Sequence, residues 1–167
     1  FDVLSLNQLG YSNSASPSGT ALTIQQLEAV SRYTNKILLC FDNDEAGLKA
    51  TERVLEIKNQ VSNQLEIHCL NLPEKYKDIS ELYEEDEDIF SSVLKDNLEI
   101  IEFLIDKFIE TTSDKKSIFN YFMNITSNLS PLEVDVSLDL LSSKLSTAKD
   151  ILKKELKFQA SDEKEDV

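Results

Sequence analysis

Two aspartates separated by one residue close an apolar run in Phe41-Asp42-Asn43-Asp44-Glu45-Ala46-Gly47, and a helical pattern follows at once. Carboxylates at that spacing on a turn can aim oxygens at one hard cation. Mg2+ in particular is held by one or two carboxylates together with waters and substrate phosphates. Open α/β sheets bind ligands beyond the carboxyl ends of their strands, and the run Ile37-Leu-Leu-Cys-Phe41 would deliver Asp42 and Asp44 there. Gly47 would let the following helix approach that loop closely. Asp78 and Glu81 come shortly after the next apolar run and could complete the acidic cluster. Asp78 fits equally well as the cap of a short helix through Ile79, Leu82 and Tyr83. Asp2 reads either as a first-turn helix charge or as a supporting carboxylate. The single histidine, His68, lies within a strand pattern and is expected to be structural. No Ser-His-Asp set can be built around it, and no Walker-type glycine loop exists.

The elements that must position these acids follow from periodicity. Val3, Leu4, Leu6 and Leu9 fit one helix face, ending at Gly10. Thr23 to Gln26 matches a capping box, and the helix it opens carries Leu27 and Val30 on its buried side. The apolar run at 37–41 predicts a central parallel strand covered on both faces. A helix is expected from Ala46 to Lys58, and a second strand from Leu65 to Leu72 ended by Pro73. Strands alternating with helices indicate an α/β fold with a parallel sheet. Beyond Leu82 the pattern is helix after helix, including a capping box with Pro131 at the first helical position and a last helix capped by Ser146 or Thr147.

Composition narrows the function classes. The 167 residues suggest one domain, or one with an appendage, and 41% hydrophobic content is enough for a packed core. The 17 basic residues face 31 acidic ones, a formal net charge of -14. A field of that sign repels phosphates at long range, which excludes a nucleic-acid binder relying on overall charge; only cations at a local site would attract a polyanion. No apolar stretch is long enough to span a membrane. The start shows no signal peptide and no Met, so the chain reads as beginning in mid-protein. Cys40 and Cys69 lack metal-site spacing and are expected as buried reduced thiols, consistent with a cytoplasmic protein.

Several segments recur in an order that resembles one family: Phe1-Asp2-Val-Leu-Ser-Leu, Ser18-Gly19-Thr20-Ala-Leu-Thr23, Arg32-Tyr-Thr34, Phe41 to Gly47, Leu72-Pro73 and Lys77-Asp78. Together they resemble the Toprim (topoisomerase–primase) domain of bacterial DnaG-type DNA primases. The resemblance implies a Rossmann-like, mostly parallel sheet with flanking helices over residues 1–82. An α-helical subdomain would follow at 83–157, then a disordered acidic tail at 158–167. Asp42 and Asp44 would be ligands of Mg2+ or Mn2+, with Asp78 as the first carboxylate of the usual Asp-Pro-Asp. Here that triplet is Asp78-Ile79-Ser80, so its second carboxylate is missing unless Glu81 stands in. Asp2 would close the Glu-Gly-Tyr-x-Asp motif, and Gly19, Thr20 and Gly47 would be structural motif positions. Position 43, commonly Gly in the family, is Asn, which also tolerates left-handed geometry.

The family's catalytic Glu would fall upstream of Phe1, as would the zinc-binding and template-holding parts, leaving the catalytic residue unassigned. The implied activity is metal-dependent synthesis of RNA primers on a DNA template. Single-stranded DNA and nucleoside triphosphates would be engaged through the full-length protein, and a replicative helicase through a C-terminal domain for which this chain has no room. The fragment alone is expected to be inactive. Two alternatives stay open: another Toprim enzyme, such as a nuclease or a topoisomerase, or a truncated non-catalytic Toprim module. Glu45-Ala46 departs from the topoisomerase pattern Asp-x-Asp-Arg-Glu-Gly.

Overall fold

The structure, a computed structural model, describes residues 2–17, 21–85 and 87–165. Gly19 and Thr20 lie outside the described residues. Two compact units divide between Lys107 and Phe108.

The first unit opens with α1 (Asp2–Gln8), closed by Gly10 at φ 89° and by Tyr11 N–H donating to the Leu6 carbonyl at 2.9 Å. That is the left-handed helix ending for which glycine is suited. The expected capping box opens α2 (Ile24–Ser31), with Thr23 and Gln26 exchanging hydrogen bonds. Strand β1 (Lys36–Leu39) leads into α3 (Glu45–Ile57), whose buried Gly47, Thr51, Val54 and Leu55 recur at helical spacing. A short 3-10 turn (Lys58–Gln60) precedes β2 (Glu66–Leu70), then come α4 (Ile79–Glu85), α5 (Glu87–Lys95), β3 (Asn97–Glu99) and α6 (Ile100–Thr111), which runs across the division.

The sheet has the order β1-β2-β3, with β1 parallel to β2 (Lys36 opposite Glu66, Leu39 opposite Cys69) and β3 antiparallel to β2 (His68 opposite Glu99). Two expectations need correction. Strand β1 is an edge strand of this sheet rather than the central one, and Leu38 is 38% exposed. An unbroken apolar run records the character of the strand; coverage of its two faces depends on neighbours in space. The helical reading beyond Leu82 also missed β3, which pairs with β2. Leu70, Leu72 and Tyr76 pack in one cluster with Ile79 and Leu82 of α4 and Phe90 and Val93 of α5.

The second unit holds α7 (Lys115–Ile125), α8 (Pro131–Leu145) and α9 (Lys149–Glu165). Asp114 caps α7, and Ser130 with Glu133 forms the expected capping box on α8 with Pro131 inside it. Ile118, Phe119, Phe122, Leu138, Leu141 and Leu145 are buried, and the Phe108 and Tyr121 rings stack with centroids 4.1 Å apart. Lys149 bridges Asp135 (3.0 Å) and Asp139 (2.9 Å), tying α9 to α8. Ser146, expected as a helix cap, instead closes α8 in a left-handed conformation (φ 48°). The tail expected to be disordered is helical through Glu165. Helix α9 contains neither Gly nor Pro, and its Lys, Glu, Leu and Ala content favours helix.

Candidate functional site

Because β1 and β2 run parallel, the loops that leave them emerge at the same end of the sheet. The first loop carries Asp42 and Asp44; the second, leaving β2, carries Asp78. Asp44 caps α3, its Oδ1 accepting from Gly47 N–H at 2.9 Å. A Cβ on Gly47 would stand 1.9 Å from the Asp42 carbonyl oxygen, so glycine is required there for space, with no unusual φ involved. Thr51 Oγ1 donates to the Gly47 carbonyl at 2.9 Å, adding a buried bond one turn further along α3.

Asp78 fills the capping role expected of it, its Oδ1 accepting from Glu81 N–H at 2.9 Å at the start of α4. Glu81 turns back to accept from Lys77 N–H at 2.6 Å, which closes the same turn. This backbone bond makes Glu81 a part of the turn, a role the sequence did not reveal. Asp2 is tied to the first turn of α4: Ser80 Oγ donates to Asp2 Oδ1 at 2.8 Å and lies 3.2 Å from Ser5 Oγ.

Sequence reasoning missed how the two loops are joined. Asn43 N–H donates to the Lys77 carbonyl at 2.6 Å. Its side-chain Nδ2 faces the carbonyls of Leu72 (3.5 Å), Pro73 (3.4 Å) and Tyr76 (3.3 Å). Gly10 and Ser146 account for the positive φ values among the described residues, so Asn43 does not substitute for glycine in a left-handed turn as the family pattern suggested. The available clue was chemical: an amide side chain in a turn is a ready donor to nearby backbone.

The acids of the two loops act on one another through their charge. Local desolvation pushes the Asp42 carboxyl above its usual range; Asp44 pushes it further, Lys77 opposes, and Asp78 and Asp2 add to the rise. Burial pushes the Cys40 thiol up to about 12, with Asp2, Asp78 and Asp42 contributing. Both cysteines are free thiols; Cys69 is buried as expected, whereas Cys40 is half-buried. His68 stands apart from the cluster, with Nε2 2.7 Å from Glu66 Oε1.

The donor set suits a hard divalent cation: the gathered groups are carboxylates, and their mutual repulsion is what a bound cation would relieve. They do not close into a cage. Among the described residues, no three potential ligand side chains stand in positions that would hold a metal ion.

Residues 1–83 match the Toprim-like family. A DNA primase from Campylobacter jejuni is 34% identical over 152 residues, covering 86% of this chain and 24% of that protein. Over residues 1–83 the chain belongs to the Toprim-like family, and the curated relatives it resembles are DNA primases. A second DNA primase, from Clostridium acetobutylicum, is 30% identical over 149 residues, again covering 86% of the chain and 24% of the relative. The chain therefore spans about a quarter of the length of these curated relatives. Among solved structures, the Aquifex aeolicus primase (zinc-binding and RNA polymerase domains) superposes with a TM-score of 0.64 at 27% identity, over 90% of this chain and 36% of that one. A DnaG primase catalytic domain bound to single-stranded DNA shares the fold, with a TM-score of 0.66 at 20% identity over 89% of this chain and 50% of its own.

Proposed function

We propose that this chain is the metal- and nucleotide-handling part of a primase that synthesises RNA primers on single-stranded DNA. The observation that carries this reading is the convergence of the Asp42–Asp44 and Asp78 loops at one end of a Toprim sheet, in a chain whose relatives are DNA primases. Asp42 and Asp44 would hold Mg2+ or Mn2+, with Asp78 facing them and Asp2 in support. Bound there, a divalent cation would neutralise triphosphate charge and help activate the attacking 3′-hydroxyl.

The chain's own residues define the rest of the chemistry. Asp44 and Asp78 each commit one oxygen to a helix cap, which fixes the carboxylate in place and leaves the other edge to face a ligand. Lys77, whose charge acts on Asp42, is the cation placed to meet a phosphate beside the acids. A net charge of -14 opposes long-range capture of DNA, so template affinity is assigned to other parts of the whole protein, as is contact with a replicative helicase. A cytoplasmic location goes with this reading.

The test is primer synthesis from ribonucleotides on single-stranded DNA by the full-length protein. Replacing Asp42 and Asp44 together by Asn should reduce the rate by about a hundredfold or more, since misplacing the reacting groups by about an ångström already has an effect of that size. The 167-residue chain alone should make no primers. Wild-type rates in the double variant would remove the proposed site; template-dependent synthesis by the isolated chain would remove the division of labour.

A further inference from the structure

The residue between the two aspartates has no place in the metal chemistry, yet its backbone and side chain reach four carbonyls of the second acidic loop, those of Leu72, Pro73, Tyr76 and Lys77. We propose that Asn43 is a positioning residue: its side-chain amide holds the Asp78 loop against the Asp42–Asp44 loop, so that carboxylates from two strand ends act on one cation. The proposal rests on the metal-site reading above and assigns a residue that supports the site without touching the ion.

The geometry distinguishes this from an ordinary loop contact. All three groups facing Nδ2 are carbonyls, those of Leu72, Pro73 and Tyr76. Only the amino end of an amide can face three acceptors, so the orientation of the side chain is dictated by its surroundings. The three carbonyls punctuate the loop that leaves β2: Leu72 and Tyr76 are buried, and Tyr76 belongs to the core cluster. The amide therefore grips a loop already anchored at its base. The backbone bond from Asn43 to the Lys77 carbonyl, at 2.6 Å, holds the residue adjoining Asp78. A glycine at position 43 would keep that backbone bond and lose the side-chain grip, which makes the two separable by one substitution. Aspartate would turn a carboxylate toward three carbonyl oxygens, replacing attraction with repulsion at nearly the same size.

Residues that orient metal ligands typically change metal affinity by 10–100-fold when altered. Asn43→Gly in the full chain should therefore weaken Mn2+ binding by about tenfold, measured by titration well below the thermal midpoint, and Asn43→Asp should fail to restore it. The sharper readout is coupling. Asp78→Asn keeps a capping oxygen and removes a charge; it should weaken Mn2+ binding clearly in the wild-type background and hardly at all with Asn43→Gly, because an untethered Asp78 no longer contributes. An equal fold-loss from Asp78→Asn in both backgrounds would overturn the proposal, as would a fall in thermal midpoint with affinity unchanged. A metal-free arm keeps the result independent of the metal reading. In amide NMR spectra without metal, Asn43→Gly should shift Lys77, Asp78 and Glu81, and unmoved signals there would overturn the tether. Wild-type protein showing no Asp42-dependent Mn2+ binding, with those shifts present, would uphold the tether and refute the metal site alone.

Discussion

At Gly47 the constraint is space. With the Asp42 carbonyl oxygen 1.9 Å from where a Cβ would lie, Gly47→Ala must push α3 away from the loop or distort the loop itself. Overpacking of this kind costs roughly 1–3 kcal/mol, so the thermal midpoint should fall by several degrees even without metal. Asp42 gives a pH signature. Its carboxyl is raised in the folded state, first by local desolvation and then by Asp44, so folding favours its protonated form. That stabilisation is fully present below the ordinary aspartate range, about pH 3.9, and is lost as pH rises through the elevated folded value. Metal-free Asp42→Asn should therefore match the wild type in acid and exceed its thermal midpoint near neutrality; a wild type that stays the more stable near neutrality would contradict the crowding of charge. The placing of Asp42 and Asp44 just beyond β1 was legible in the sequence, because an apolar run closed by acids is a local pattern. The Asn43 tether was not, because it joins segments distant in the chain, and no periodicity reports a contact of that kind.

At the scale of elements, caps were the most legible feature. Thr23 with Gln26 and Ser130 with Glu133 form the boxes their spacing predicts, since each bond is made within four residues. The place of β1 in the sheet was not legible, because order across a sheet is decided by strands remote in sequence. Strand β3 is three residues long, too short for alternation to register, and pairing with β2 defines it. Helix α4 offers a prediction in which capping and charge separate. Asp78→Ala removes the acceptor for Glu81 N–H and should destabilise the fold by about 1 kcal/mol, whereas Asp78→Asn keeps a capping oxygen and should stay within a few tenths. Chemical denaturation of both variants without metal measures the difference; equal losses would mean that the charge of Asp78, rather than its cap, supports α4.

For the whole molecule, the acidic excess and the converging carboxylates make one demand: a cation should stabilise the folded chain, and should do so at the strand-end loops. Each capping carboxylate is partly committed to backbone, so affinity should be nearer millimolar than micromolar in order of magnitude. At tenfold excess over Kd, mass action then gives about 1.4 kcal/mol. The most direct measurement is thermal unfolding with and without Mg2+ or Mn2+, on the wild type and on the variant carrying Asp42→Asn with Asp44→Asn. The expected result is a metal-induced rise in midpoint for the wild type that is absent from the double variant. An equal rise in both proteins would contradict the account, placing the ions on the acidic run at 84–88 or elsewhere on a chain of net charge -14.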